Sequence, residues 1–193
     1  MSIERGGAGP LSAMVFQDYS IFPWKTVEQN VRFGLDVGAR APADADARTD
    51  YWLDRLGLAP FRRSYPSELS GGMRQRVSIA RALIVDPEIL LMDEPFAALD
   101  ALTRRKMQDE LLALWEGTRF TVLFVTHSIP EAIKIGSRIL LLSPHPGQVK
   151  AELDSLPSTA DGAAARALEQ RIHSMLFADA VEETAPDRAG VHA

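Results

Sequence analysis

Two adjacent carboxylates, Asp93 and Glu94, end an unbroken apolar run, Ile89-Leu90-Leu91-Met92. A buried parallel strand that ends this way sets them at the C-terminal edge of a sheet, where open α/β folds bind ligands. Side chains alternate along a strand, so the two point in different directions. One can hold Mg²⁺ while the other faces an attacking water, and phosphoryl transfer needs both. The plainer alternative is an acidic pair that opens a solvated loop. The apolar run before it and Pro95-Phe96-Ala97-Ala98-Leu99-Asp100 after it weigh against that.

Leu69-Ser70-Gly71-Gly72 precedes a helical pattern and is followed by Gln75 and Arg76. Paired glycines let a backbone approach a phosphate closely, Ser70 adds a hydroxyl donor, and a helix N-terminus adds partial positive charge. The competing role for Ser70 is a simple helix cap. Gln17 ends a short apolar run, and its amide could ligate a metal or hold a water. His127 follows the run Thr121–Val125, and an imidazole there could donate to a phosphate oxygen. Taken singly, both are polar residues at strand ends.

These residues need elements to position them. Ala13–Phe16 reads as a buried strand. Thr26–Leu35, Asp50–Leu58 and Gly72–Val85 read as helices, the last two ended by Gly57 and by Asp86-Pro87. Ile89–Met92, Val122–Val125 and Ile139–Leu142 are short apolar strands, with helices Ala101–Leu114 and Pro130–Ile135 between them. Continuous apolar strands alternating with helices predict a parallel sheet covered on both faces. The expected fold is an α/β core, about 86–143, joined to a helical subdomain at about 27–85. Both lie within one domain over 1–157, and 158–193 hold a helix at Ala163–Phe177 and an acidic, disordered tail. Met1–Leu11 and Gly38–Asp46 read as loops.

Composition narrows the function. The net charge of -5 gives no basic excess for nucleic-acid binding. The absence of Cys excludes disulfides and thiolate metal sites. The N-terminus lacks the apolar core of a signal peptide, and the apolar runs are far shorter than the ~20 residues that span a bilayer. Service to a membrane would run through a partner.

In order, Gln17, Leu69-Ser70-Gly71-Gly72, Asp93-Glu94, Asp100 and His127 resemble the Q-loop, signature, Walker B, D-loop and H-loop of ATP-binding cassette (ABC) ATPases. The resemblance runs from about Val15 to Pro146. Phe22-Pro23-Trp24-Lys25-Thr26-Val27-Glu28-Gln29-Asn30-Val31, Pro95–Asp100 and Thr121–Ala132 followed by Pro146-Gly147 are similar to the nitrate/sulfonate/taurine branch of importer ATPases. The resemblance implies a P-loop NTPase core that uses ATP and Mg²⁺. Asp93 would support Mg²⁺, with Gln17 sensing the metal and the attacking water. Glu94 would act as general base, and His127 would contact the γ-phosphate. Ser70, Gly71, Gly72 and Gln75 would bind nucleotide held by a second ATPase subunit in a head-to-tail pair, with Asp100 near the interface. Tyr19–Trp24 would receive a membrane permease, served in turn by a periplasmic or extracellular solute-binding protein. The implied location is the cytoplasmic face of the membrane, and no nucleic-acid partner is expected.

Ser128 follows His127 where many members of the family carry Asp, a change expected to have little effect. The larger departure is that the phosphate loop G-x-x-x-x-G-K-[ST] occurs nowhere in the sequence. Gly6-Gly7-Ala8-Gly9 has neither its Lys nor a following helix. The expectation is an N-terminally truncated cassette that binds ATP weakly alone. Two alternatives stand beside the importer subunit: an ABC ATPase acting on nucleic acid or ribosomes, and a non-catalytic remnant or module that supplies the signature turn to a partner. Long insertions or tandem cassettes, expected of the former, are absent from the sequence.

Overall fold

The computed structural model describes residues 10–37, 43–143, 147–155 and 162–177, which form two compact units divided between Thr126 and His127. Expectations for Met1–Leu11, for the start of the Gly38–Asp46 loop and for the tail after Phe177 fall wholly or largely outside these residues.

In the first unit, β1 (Ser12–Val15), β2 (Ile89–Asp93) and β3 (Thr121–Val125) form a parallel sheet in the order β1-β2-β3. Ala13, Leu90 and Val122 stand level, as do Val15, Met92 and Phe124. These residues share one face, on which Val15, Leu90 and Met92 are buried. Fully burying each such side chain stabilises by about 1.5–3 kcal/mol. The other face carries Met14, Leu123 and Val125, all exposed. The expected cover on both faces is therefore corrected: among the described residues of this unit, one face remains open.

Among the described residues, three α-helices and two single-turn 3-10 helices lie between β1 and β2. Helix α1 (Val27–Asp36) starts with a capping box in which Thr26 accepts from Gln29 N–H and the Gln29 side chain accepts from Thr26 N–H. Helix α2 (Ala45–Arg55) begins five residues earlier than its composition suggested. Ala45, Thr49, Trp52 and Leu53 fall on one buried stripe, so Ala45, in the stretch that read as loop, belongs to the helix's buried face. Gly57, at φ 65°, follows this helix in the left-handed conformation that glycine adopts freely. Helix α3 (Gly71–Leu83) packs on α1 and β1, burying Val77, Ile79, Ala80 and Leu83. After β2, α4 (Ala101–Thr118) is tied to α3 by Arg76, whose guanidinium donates to both Glu110 carboxylate oxygens at 2.7 and 2.9 Å.

The second unit contains α5 (Ile129–Ile135), β4 (Arg138–Leu142), β5 (Val149–Asp154) and α6 (Gly162–Phe177). Strand β4 pairs antiparallel with β5 in a separate two-stranded sheet. This corrects the reading of Ile139–Leu142 as another parallel core strand. Strand β5 alternates apolar Val149, Ala151 and Leu153 with charged Lys150, Glu152 and Asp154, the pattern of a half-buried strand, which the sequence reading passed over; of these only Leu153 is buried. Ile133, Ile139, Leu141, Leu153 and Ile172 form this unit's own core.

Candidate functional site

Register brings three of the sequence candidates to one sheet edge. Val15 pairs with Met92, so Gln17 and Glu94 each lie two residues beyond a paired position on neighbouring strands. Asp93 is the last paired residue of β2, opposite Val125. The chain then turns sharply, with Glu94 at φ 43°, a left-handed conformation that costs a non-glycine residue about 1–3 kcal/mol. Surrounding bonds hold it there. Glu94 N–H donates to Val125 O at 2.9 Å, and Ala97 N–H donates to Glu94 O at 3.1 Å. Asp93 and Glu94 are half-buried, while Gln17 is exposed.

The loop after Glu94 is fixed from below and from the side. Phe96 is fully buried, its ring centroid 5.8 Å from that of Phe124. Arg104, one turn into α4, donates to the carbonyls of Phe96, Ala97 and Leu99 at 3.2, 3.4 and 2.9 Å. Sequence reasoning missed Arg104, because its role is to satisfy loop carbonyls that periodicity does not reveal.

Ser70 caps α3, its hydroxyl oxygen accepting from Met73 N–H at 3.3 Å. The competing cap role is thus real. It leaves the hydroxyl proton available to donate, so capping and phosphate contact are compatible. Ser70 is exposed and Gly71 is half-buried. Their turn presents the unpaired first N–H groups of a 13-residue helix. Gly72 is buried against α4: a methyl group added there would lie 2.7 Å from Thr103 Cγ2. Gln75 is fully buried. Its amide is enclosed by the fold, so it does not share the exposed surface on which Ser70 lies.

Asp100 caps α4, accepting from Leu102 and Thr103 N–H at 3.1 and 3.0 Å. The Thr103 hydroxyl first, then the Thr103 and Leu102 N–H groups, hold this carboxyl below its ordinary value of 3.8. Folding lowers the pKa, so the stabilisation is complete above the unfolded value and fades as pH falls through the lower folded one. Asp100→Asn, which caps without titrating, should flatten the acid-side loss of stability below about pH 4. Unfolding midpoints measured across that range check this; identical slopes for both proteins would refute it.

Arg81, on α3, also escaped the sequence reading. It donates to the carbonyls of Ser20 and Tyr19 at 2.7 and 3.4 Å and lies over the Phe22 ring at 5.3 Å. Burial lowers its pKa from the ordinary value, but an arginine starts so high that it remains cationic at neutral pH. Asn30, fully buried, organises the following stretch: its amide donates to Phe22, Lys25 and Thr26 carbonyls and accepts from Phe22 N–H. His127 is exposed and opens the second unit.

Among the described residues, no three His, Cys, Asp or Glu side chains gather as a self-sufficient metal cage. Asp93 with the Gln17 amide fits a different case, a Mg²⁺ held by one carboxylate and largely by nucleotide phosphates. No helix among the described residues is long and apolar enough to cross a membrane.

Residues 8–97 match the model of the ABC transporter family. The nitrate import ATP-binding protein NrtD of Synechocystis is 46% identical over 147 residues, which are 76% of this chain and 55% of that protein. The taurine import ATP-binding protein TauB of Rhizobium johnstonii is 48% identical over 153 residues, 79% of this chain and 58% of that protein. The chain thus spans a little over half the length of these curated relatives. Among solved structures, a dimeric post-hydrolysis state of the ATP-binding cassette MJ0796, bound to ADP and Pi, superposes with a TM-score of 0.63 at 36% identity, covering 77% of this chain and 64% of that one. Shared motifs, the parallel sheet edge that carries them and these likenesses agree: the chain belongs to the ABC transporter family, with relatives among the ATP-binding proteins of nitrate and taurine import.

Proposed function

We propose that the chain contributes to an ATP-hydrolysing subunit of an importer for a small oxyanion of the nitrate, sulfonate or taurine type. The observation that carries this reading is the convergence of Gln17, Asp93 and Glu94 on one sheet edge, in a unit that also presents the Ser70-Gly71-Gly72 turn. Glu94 orients and deprotonates the attacking water. His127 holds a γ-phosphate oxygen, and Asp93 with Gln17 holds Mg²⁺, which supplies charge neutralisation when bound with ATP. Ser70, Gly71 and Gly72 donate to the γ-phosphate of a nucleotide held by a second subunit. Gln75, whose buried amide has no hydrogen-bond partner among the described residues, completes that nucleotide-binding set. The Tyr19–Trp24 segment faces a permease, and the assembly sits at the cytoplasmic face of the membrane, served by a solute-binding protein.

The sequence contains no phosphate loop, so its own Asp93-Glu94 edge needs one from outside these residues. A longer polypeptide could supply it. Alternatively, the chain acts only as a partner-dependent module that completes another subunit's site. Substitutions in a reconstituted pair with a complete ATP-binding subunit and permease separate these. Ser70→Arg should abolish the hydrolysis that the chain restores in either case. Glu94→Gln should lower it about 10²–10⁴-fold only if the loop is joined to this chain, and leave it unchanged for the module. Hydrolysis indifferent to Ser70→Arg would overturn the trans-site reading, as would submillimolar ATP binding by the isolated chain for the expectation of weak binding.

A further inference from the structure

The segment that follows Gln17 is folded back and strained. Tyr19 and Ser20 both adopt positive φ, 58° and 48°, without being glycines. Such a turn persists only where the surroundings hold it. The holder is Arg81, sixty-one residues away from Ser20 in sequence, whose guanidinium takes the Ser20 and Tyr19 carbonyls and rests on the Phe22 ring. The Tyr19 side chain then reaches the opposite end of the same helix. The Arg74 guanidinium lies 5.6 Å from its ring centroid. Its phenol oxygen is close enough to Gly71 that a methyl group added there would sit 3.2 Å away. One loop residue therefore touches α3 at both ends: its carbonyl near the C-terminus, its ring at the N-terminal turn.

We propose that Arg81 and Tyr19 clamp the segment after Gln17 onto α3, so that displacement of residues 18–24 is transmitted to the Ser70–Gly72 turn. The functional sense of the clamp rests on the reading above, in which one of these surfaces meets a permease and the other a nucleotide. Arg81 and Tyr19 act here as positioning residues. Helix α3 is a continuous 13-residue rod whose buried face is packed on α1 and β1. Ser70 is the exposed residue at the head of that helix, so a push on the loop can shift it more readily than the packed body of the helix. The planar guanidinium suits this role, since it donates to two carbonyls while stacking on a ring, which an ammonium cannot reproduce.

Hydrogen exchange of the whole chain, followed by mass spectrometry, tests the clamp. Arg81→Met should raise exchange by about tenfold in residues 18–24 and also in 70–74, with β2 and α1 unchanged. Arg81→Lys should recover only part of the protection. Tyr19→Asn tolerates the left-handed backbone and keeps the Arg81 carbonyl bonds while removing the ring. It should raise exchange in 70–74 more than in 18–24. A rise confined to 18–24 in Arg81→Met, or a uniform rise that includes β2 and α1, would overturn the clamp. The exchange arms need no nucleotide. Hydrolysis insensitive to Ser70→Arg, with coupled exchange intact, would sink the proposed ATP chemistry and spare the clamp. The reverse pair of results would sink the clamp alone.

Discussion

Phe96→Ala should lower the unfolding free energy by about 3–5 kcal/mol, the range for deleting a fully buried aromatic ring. Phe96 is completely enclosed, packs on Phe124 from β3, and stands two residues after Glu94. Its removal opens a cavity beneath the loop that carries the candidate water-orienting carboxylate. Arg104 would still satisfy the carbonyls of Phe96, Ala97 and Leu99, so the loop keeps its hydrogen bonds while losing its apolar anchor. The expectation is a large fall in the urea midpoint, with Phe96→Leu falling between the two because it retains much of the volume. A loss under about 1 kcal/mol would mean that the pocket collapses around the missing ring, and that the anchor is dispensable.

Gly72→Ala tests the approach of α3 to α4. Alanine normally improves a helix interior by about 0.5–1 kcal/mol relative to glycine. Here the added methyl would meet Thr103 Cγ2 at 2.7 Å, a contact that one helix or the other must relieve. Overpacking of this kind costs about 1–3 kcal/mol, so the steric effect should outweigh the propensity gain. The displaced part is the first turn of α3, where Ser70 and Gly71 are presented. Thr103→Ser removes the obstructing methyl and keeps the hydroxyl that supports Asp100. The double variant should therefore recover most of the lost stability in thermal unfolding. If Gly72→Ala is neutral alone, or if Thr103→Ser fails to rescue it, the close approach is not what requires glycine.

Much of this molecule was legible before folding. The runs at 89–92 and 122–125 became strands because uninterrupted apolar residues have few other ways to be buried. Ser70, Thr26 and Asp100 capped helices because a short oxygen-bearing side chain can satisfy a helix's unpaired N–H groups locally. Residue order alone also identified the family motifs. Local patterning does not separate a parallel strand from an antiparallel one: the pairing of Ile139–Leu142 depends on β5, a partner that comes later in the chain. It also missed the start of α2, where Ala45 and Thr49 are buried despite their small or polar side chains.

The sequence by itself determined which side chains are present for phosphate chemistry, and in what order, because those choices are chemical and local. Tertiary structure alone decided which of them meet. Strand register set Gln17 and Glu94 beyond the same sheet edge, and a left-handed turn at Glu94, held by Val125, led the chain from that edge to the buried Phe96. Helix packing enclosed the Gln75 amide and joined Arg81 to the carbonyls of Tyr19 and Ser20 across sixty residues. Such contacts leave no periodic trace, since their geometry comes from how the finished elements pack.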